Sequence, residues 1–212
     1  MPEGSKNIRT RTDPPFEDIV GVILAGGRST RYGRNKAFET LGGKSLIGRV
    51  VETMTSLFRE TILMTNTPSE YEHLGLAMHQ DLIKGLGPIG GIYTALKIIQ
   101  KDAGFFVACD MPFLNRALIS HMVSIMEDFD VVVPRMGWKI EALHALYRKR
   151  CVAQIEKNIN DGIYQVIRVF EHVTVRYVEE EEIRQFDPQF QSFLNINRPQ
   201  DLRRLENLCL SS

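Results

Sequence analysis

Apolar and polar positions alternate along this chain in two rhythms that divide it into short buried runs and amphipathic segments. Val20 to Ala25 is a continuous apolar run, fit for a strand buried on both faces, and it gives way at Gly26-Gly27 to small, polar and cationic residues that cannot continue it. Leu46, Ile47, Val50, Val51, Met54, Leu57 and Phe58 then recur at helical spacing, which predicts a helix from about Lys44 with one apolar stripe. Thr61 to Thr65 reads as a strand ending at Asn66 before Pro68, and Leu76 to His79 as another before the glycine-rich stretch 85–91. A helix with Ile92, Leu96 and Ile99 follows, then a buried strand from Phe105 to Cys109. Asn115 is placed to cap a helix bearing Leu118, Ile119, Met122 and Val123.

Beyond it, Val131 to Val133 and Leu143 to Tyr147 read as strands, Arg148 to Asn158 and Gly162 to Phe170 as helices, and His172 to Tyr177 as an edge strand. Pro199 stands where it can open a final helix. Strands alternating with helices predict an α/β fold: one three-layer, doubly wound, mostly parallel sheet with its site at the carboxyl edge. With 212 residues and no compositional break, a single domain over residues 19–208 is expected, preceded by a flexible tail over 1–18.

Charge narrows the classes. Lys plus Arg and Asp plus Glu stand at 26 each, so the basic excess of a general nucleic-acid or membrane-surface binder is missing. The N-terminus has no apolar h-region and no run approaches a membrane span, so a cytoplasmic protein is expected. Cys109, Cys151 and Cys209 are odd in number and far apart, which argues against a disulfide framework and for a reducing compartment. Glu179 to Glu182 reads as a solvated acidic face.

The chemistry begins where the first strand stops. Adjacent glycines allow close approach of a ligand to the backbone, with the N–H groups of Gly26 to Ser29 free to face phosphate oxygens, and Arg28, Arg31, Arg34 and Lys36 surround that loop with cations. It is not a Walker A loop, because Gly27 and Gly33 are separated by five residues rather than four and Arg34 follows. Gly43-Lys44-Ser45 is a decoy, since Phe38 stands where the leading glycine belongs. The dinucleotide fingerprint fails as well, because the paired glycines are adjacent. At the end of the strand from Phe105, Asp110 presents a carboxylate suited to Mg²⁺, which takes oxygen ligands and shares them with substrate phosphates. Asn66 and Asp81 occupy comparable strand ends, where each is either a turn or cap residue or a ligand contact. His144 reads as a hydrogen-bonded core residue, while Trp138 either packs or stacks on a ligand.

The run Leu24-Ala25-Gly26-Gly27-x-Ser29-x-Arg31-x-Gly33-x-x-Lys36 resembles the signature of nucleotidyltransferases, and among them most resembles the molybdenum cofactor guanylyltransferases. Asp81 with Gly87-Pro88, Ala108 to Phe113, Leu143 to Tyr147 and Phe193 to Leu202 extend the resemblance over about residues 19 to 208. It implies transfer of GMP from GTP to the phosphate of molybdopterin, or its metal-loaded form, with Mg²⁺ as cofactor. In that resemblance Leu24, Ala25, Gly26, Gly27, Ser29, Gly33 and Lys36 hold the nucleotide. Asp81 contacts guanine, with Asn66 nearby; Asp110 binds the metal; and Asn195 or Asn197 completes the metal shell or touches phosphate. Lys36, Arg31 and Asp110 are the expected catalytic residues. Asn35, Tyr32 and Glu141-Ala142 depart from the family pattern, the last pair where the acceptor is expected. Two rival functions follow: a nucleotidyltransferase using CTP or a sugar or lactyl phosphate, and a non-catalytic GTP-binding adaptor for a molybdoenzyme maturation partner.

Overall fold

The structure, a computed structural model, describes residues 16–26 and 36–196, with Lys36 described by its backbone alone. The expectations for Gly27, Ser29, Arg31, Gly33, the Lys36 side chain, Asn197 and the helix after Pro199 therefore lie outside the described residues.

The apolar run becomes β1 (Phe16–Leu24), which begins inside the stretch expected to be tail. A two-stranded hairpin, β2 (Thr40–Leu41) and β3 (Lys44–Ser45), precedes α1 (Leu46–Leu57). This hairpin accounts for the phosphate-loop decoy. Gly42 and Gly43 form its two-residue turn with φ of +58° and +79°, values that favour glycine, and Ser45 caps α1 by accepting the Gly48 N–H at 3.1 Å. Lys44 pairs with Glu52 at 2.7 Å, so none of the three decoy residues is spent on a ligand.

Chain order continues with β4 (Phe58–Met64), β5 (Ala77–His79), α2 (Pro88–Ile98) and β6 (Ala103–Ala108). Then come α3 (Arg116–Ser124), β7 (Val131–Met136), β8 (Lys139–Ile140), β9 (His144–Arg148), α4 (Cys151–Asn160), β10 (Val175–Glu179) and α5 (Glu180–Arg184). The main sheet runs β10-β7-β9-β6-β1-β4-β5, with β8 added to β7. β9 is antiparallel to both its neighbours and the short β8 to β7; the other pairs are parallel. One face of the sheet is covered by α1, α3 and α5 through Ile47, Val50, Met54, Leu118, Ile119, Met122 and Ile183. The other is covered by α2 and α4 through Ile89, Ile92, Leu96, Cys151 and Ile155. The expected three-layer, mostly parallel α/β architecture is the one observed.

Asn115 caps α3 as expected, accepting the Leu118 N–H at 3.0 Å. Four local expectations differ from the structure. Phe58 leaves the helical stripe to start β4, because its ring packs against Phe16 and Phe105 across the sheet. The helix predicted at residues 162–170 is a 3₁₀ turn over Val166–His172. The segment 194–196 is irregular rather than the strand that the alternation of Asn195 and Asn197 predicts. The acidic run is only partly a solvated face: Glu181 is exposed, but Glu179 pairs with Arg135, and Glu182, mostly covered, receives Arg176 at 2.9 Å and His121 at 2.7 Å. Burial alone would raise the Glu182 carboxyl, but His121 and Arg176 hold it below the ordinary value. The run thus fastens α5 and β10 to α3.

Candidate active site

The register of the sheet aligns the strand ends. Leu24 of β1 stands beside Met64 of β4 and Ala108 of β6, and Met64 in turn beside His79 of β5. Four parallel strands therefore share one row, and the residues two places beyond it are Gly26, Asn66, Asp81 and Asp110. Backbone bonds extend the alignment past the strands, with Ala25 N–H on the Met64 carbonyl, Thr65 N–H on that of His79, and Cys109 N–H on that of Leu24. With neighbouring strands about 4.8 Å apart, Asp81 and Asp110 are separated by roughly 14 Å along the edge, with Asn66 and Gly26 between them.

At the β5 end Asn66 and Asp81 hold one another. The Asn66 amide donates to Asp81 Oδ2 at 2.7 Å, and its carbonyl oxygen accepts the Asp81 N–H at 3.2 Å. The sequence offered a turn residue and a cap; the structure joins them into one unit. Thr94, which sequence reasoning passed over, pins the following residue by accepting the Leu82 N–H at 2.9 Å, although it is buried in α2. Its sequence signal was slight: Thr94 stands with Tyr93 and Lys97 as the polar positions of a helix that is apolar elsewhere. Gly91 keeps this helix close: a Cβ there would stand 3.0 Å from Leu24 Cδ2 and 3.7 Å from Asp81 Oδ1. Because α2 starts after the loop from β5, its N-terminus lies at the same carboxyl edge, where the end of the helix dipole favours anions.

Asp110 sits at the other end of the row, in the tight loop between β6 and α3. Its carbonyl accepts the Ile196 N–H at 3.2 Å, so the backbone of the preceding residue, Asn195, runs beside Asp110. A carboxylate oxygen is a hard donor, and Mg²⁺ needs only one or two carboxylates when phosphates and water supply the rest. Among the described residues no group of three His, Cys, Asp or Glu gathers. Cys109 does not compete as a soft ligand. Burial, and then the charge of Asp110, push its thiol up to about 12.

His144 is fully buried on β9, edge-on to the rings of Phe105 and Phe193. It is a core residue as expected, but not a hydrogen-bonded one, because neither ring nitrogen has a partner among the described residues. Burial lowers its pKa from 6.5 to about 3. The unfolded chain accordingly takes up a proton below about pH 6.5 that the native state refuses. Stability should fall by about 1.4 kcal/mol per pH unit from there toward pH 3. Thermal melts of His144→Leu are expected to match or exceed the wild type at pH 7.5 and to lose less on acidification. Parallel pH profiles for the two proteins would remove this account.

A glycine pair directly after β1 and an acidic residue after the adjacent β6, on a mostly parallel α/β sheet, fit a nucleotidyltransferase, and similarity to known proteins shows that class. A model of the MobA-like NTP transferase domain matches residues 21–176. The chain belongs to this family, within the molybdenum cofactor guanylyltransferases. It is 36% identical over 193 residues to the molybdenum cofactor guanylyltransferase of Desulfosudis oleivorans, covering 90% of this chain and 96% of that one. It is 39% identical over 183 residues to the probable molybdenum cofactor guanylyltransferase of Pelotomaculum thermopropionicum, covering 86% and 89%. Among solved structures it resembles molybdopterin-guanine dinucleotide biosynthesis protein A of Archaeoglobus fulgidus, with a TM-score of 0.78 and 30% identity over 92% of this chain and 100% of that one.

Proposed function

We propose that this protein transfers GMP from GTP to the terminal phosphate of molybdopterin, or its metal-loaded form, and releases pyrophosphate. What carries the reading is the shared row. A base-sized polar pair stands at one end, a metal-suited carboxylate at the other, and the glycine turn lies between them. Asp81 accepts from guanine N1–H and the 2-amino group, an edge cytosine lacks. Its two oxygens offer about four acceptor sites, so the bond from Asn66 leaves room for both. Asn66 fixes the carboxylate and so prepays its orientation.

The attacking group is already an ionised phosphate, so the protein's task is to bring two polyanions together in line and to hold charge on the leaving pyrophosphate. Mg²⁺, held by Asp110 with Asn195 or Asn197, would supply positive charge to the phosphates. Gly26, Gly27, Ser29 and Gly33 offer backbone donors to the triphosphate, Leu24 and Ala25 line the nucleotide, and Lys36 and Arg31 face the charge that develops. No helix among the described residues is long and apolar enough to cross a membrane, and GTP as donor fits a cytoplasmic enzyme.

The test is pyrophosphate release from GTP or CTP with Mg²⁺, with and without molybdopterin. Release is expected with GTP and only when the acceptor is present. Faster turnover of CTP, or GTP binding without turnover, would reject the assignment.

A further inference from the structure

The hairpin formed by β7 and β8 is left over from the nucleotide site, and its tip carries the most exposed large hydrophobic side chain among the described residues. Trp138 is 94% exposed. Met136 pairs with Lys139, which leaves Gly137 and Trp138 as a two-residue turn, with Gly137 at φ +58°. The indole is held out by a braced support. Arg135 donates to Glu179 at 3.1 Å and lies 4.1 Å from the Tyr177 ring centre, and Glu141 N–H donates to the Pro134 carbonyl at 3.1 Å. Lys139 pairs with Glu141. Both cations flanking the tip are therefore matched by carboxylates, so the hairpin offers a flat aromatic face without net charge. That is a poor site for phosphate and a good one for an uncharged planar ring.

Its location follows from the register. Val132 is level with Leu146, and Leu146 with Phe105, so four residues further along Met136 is level with Cys109. Because β7 and β6 are both antiparallel to β9, they point the same way, and the turn stands beside Asp110 at the carboxyl edge. One strand intervenes, so β7 lies two strand spacings, about 10 Å, from β6. It is on the side of Asp110 opposite to Asn66 and Asp81. The nucleotide occupies the β5-β4-β1 side, and the second substrate must approach Asp110 from the β9-β7 side.

We infer that the β7–β8 hairpin is the acceptor subsite, with the indole of Trp138 stacked on the planar, uncharged heterocycle of the acceptor while its phosphate reaches toward Asp110. The inference rests on the transfer reaction proposed above and names the residue that reads its second substrate. It also gives physical content to the departure at Glu141-Ala142. Glu141 neutralises Lys139 and so keeps the platform selective for a ring over a phosphate.

Trp138 is the chain's single tryptophan, so its emission reports this one position. The full chain is titrated with molybdopterin released anaerobically from a molybdoenzyme, and separately with GTP and Mg²⁺, with free N-acetyltryptophanamide correcting for absorbed light. Molybdopterin is expected to quench the emission saturably, and GTP to leave it nearly unchanged. Trp138→Ala should raise the acceptor KM about tenfold, the size of one lost ring stack, with the GTP KM unchanged, and Trp138→Phe should recover most of the loss. Turnover with unquenched emission, or an unchanged acceptor KM in Trp138→Ala, overturns the subsite. If the wild type gives no pyrophosphate with molybdopterin, the transfer reaction has failed, and the emission still decides the subsite. Quenching keeps it, and no quenching removes it.

Discussion

Asp110→Asn is expected to fold normally and to release pyrophosphate from GTP and molybdopterin about a thousandfold more slowly, a loss of about 4 kcal/mol of transition-state stabilisation. The side chain lies beyond the end of β6, outside the apolar layers on either face, and asparagine keeps its shape. The backbone bond from Ile196 to the carbonyl of this residue does not depend on the carboxylate, so the neighbouring segment keeps its place. What is lost is the negative charge that would hold Mg²⁺ between the phosphates. Circular dichroism and the thermal midpoint should be unchanged. Near-normal turnover in Asp110→Asn at saturating Mg²⁺ would place the metal elsewhere.

Asp81→Ala carries the second largest effect. Removing two charge-assisted hydrogen bonds to the guanine edge should lower kcat/KM for GTP by roughly a hundredfold, about 3 kcal/mol, while the poorer substrate CTP changes little. Inosine triphosphate, which lacks the 2-amino group, separates base reading from structural damage. The wild type should prefer GTP to inosine triphosphate by about tenfold, as expected for one such bond, and the variant should treat them alike. A variant that still discriminates between these two nucleotides would assign guanine recognition to another group. Because Asn66 donates to Asp81 at 2.7 Å and accepts from its backbone at 3.2 Å, the carboxylate is held in place before the base arrives.

Much of the site was legible because each of its residues ends an apolar run. Asn66 and Asp110 are polar residues placed after buried strands and Asp81 one placed after a short, largely exposed edge strand, and in an open α/β sheet such strand ends face the ligand. The sequence could not show that Asn66 and Asp81 are partners, since they follow different strands and stand 15 positions apart in the chain. Nor could it show Glu182 caught between Arg176 and His121, because only the packing of α5 beside β10 and α3 brings a solvated-looking acid to those two side chains. His144 shows the same limit from the opposite side. Its apolar neighbours announced burial, but whether its nitrogens found partners depended on which groups the rings of Phe105 and Phe193 exclude.

By itself the sequence determined which segments could be strands or helices, where the chain turned polar, and which family signature the glycine turn carries, because periodicity and turn chemistry are local properties. The tertiary structure alone decided that four strand ends stand in one row, that β9 runs backwards beside β6, and that the Trp138 hairpin comes to lie past Asp110 on the side away from Asp81. Those relations are fixed by inter-strand hydrogen bonds and side-chain packing between residues distant in the chain, and no local pattern encodes them.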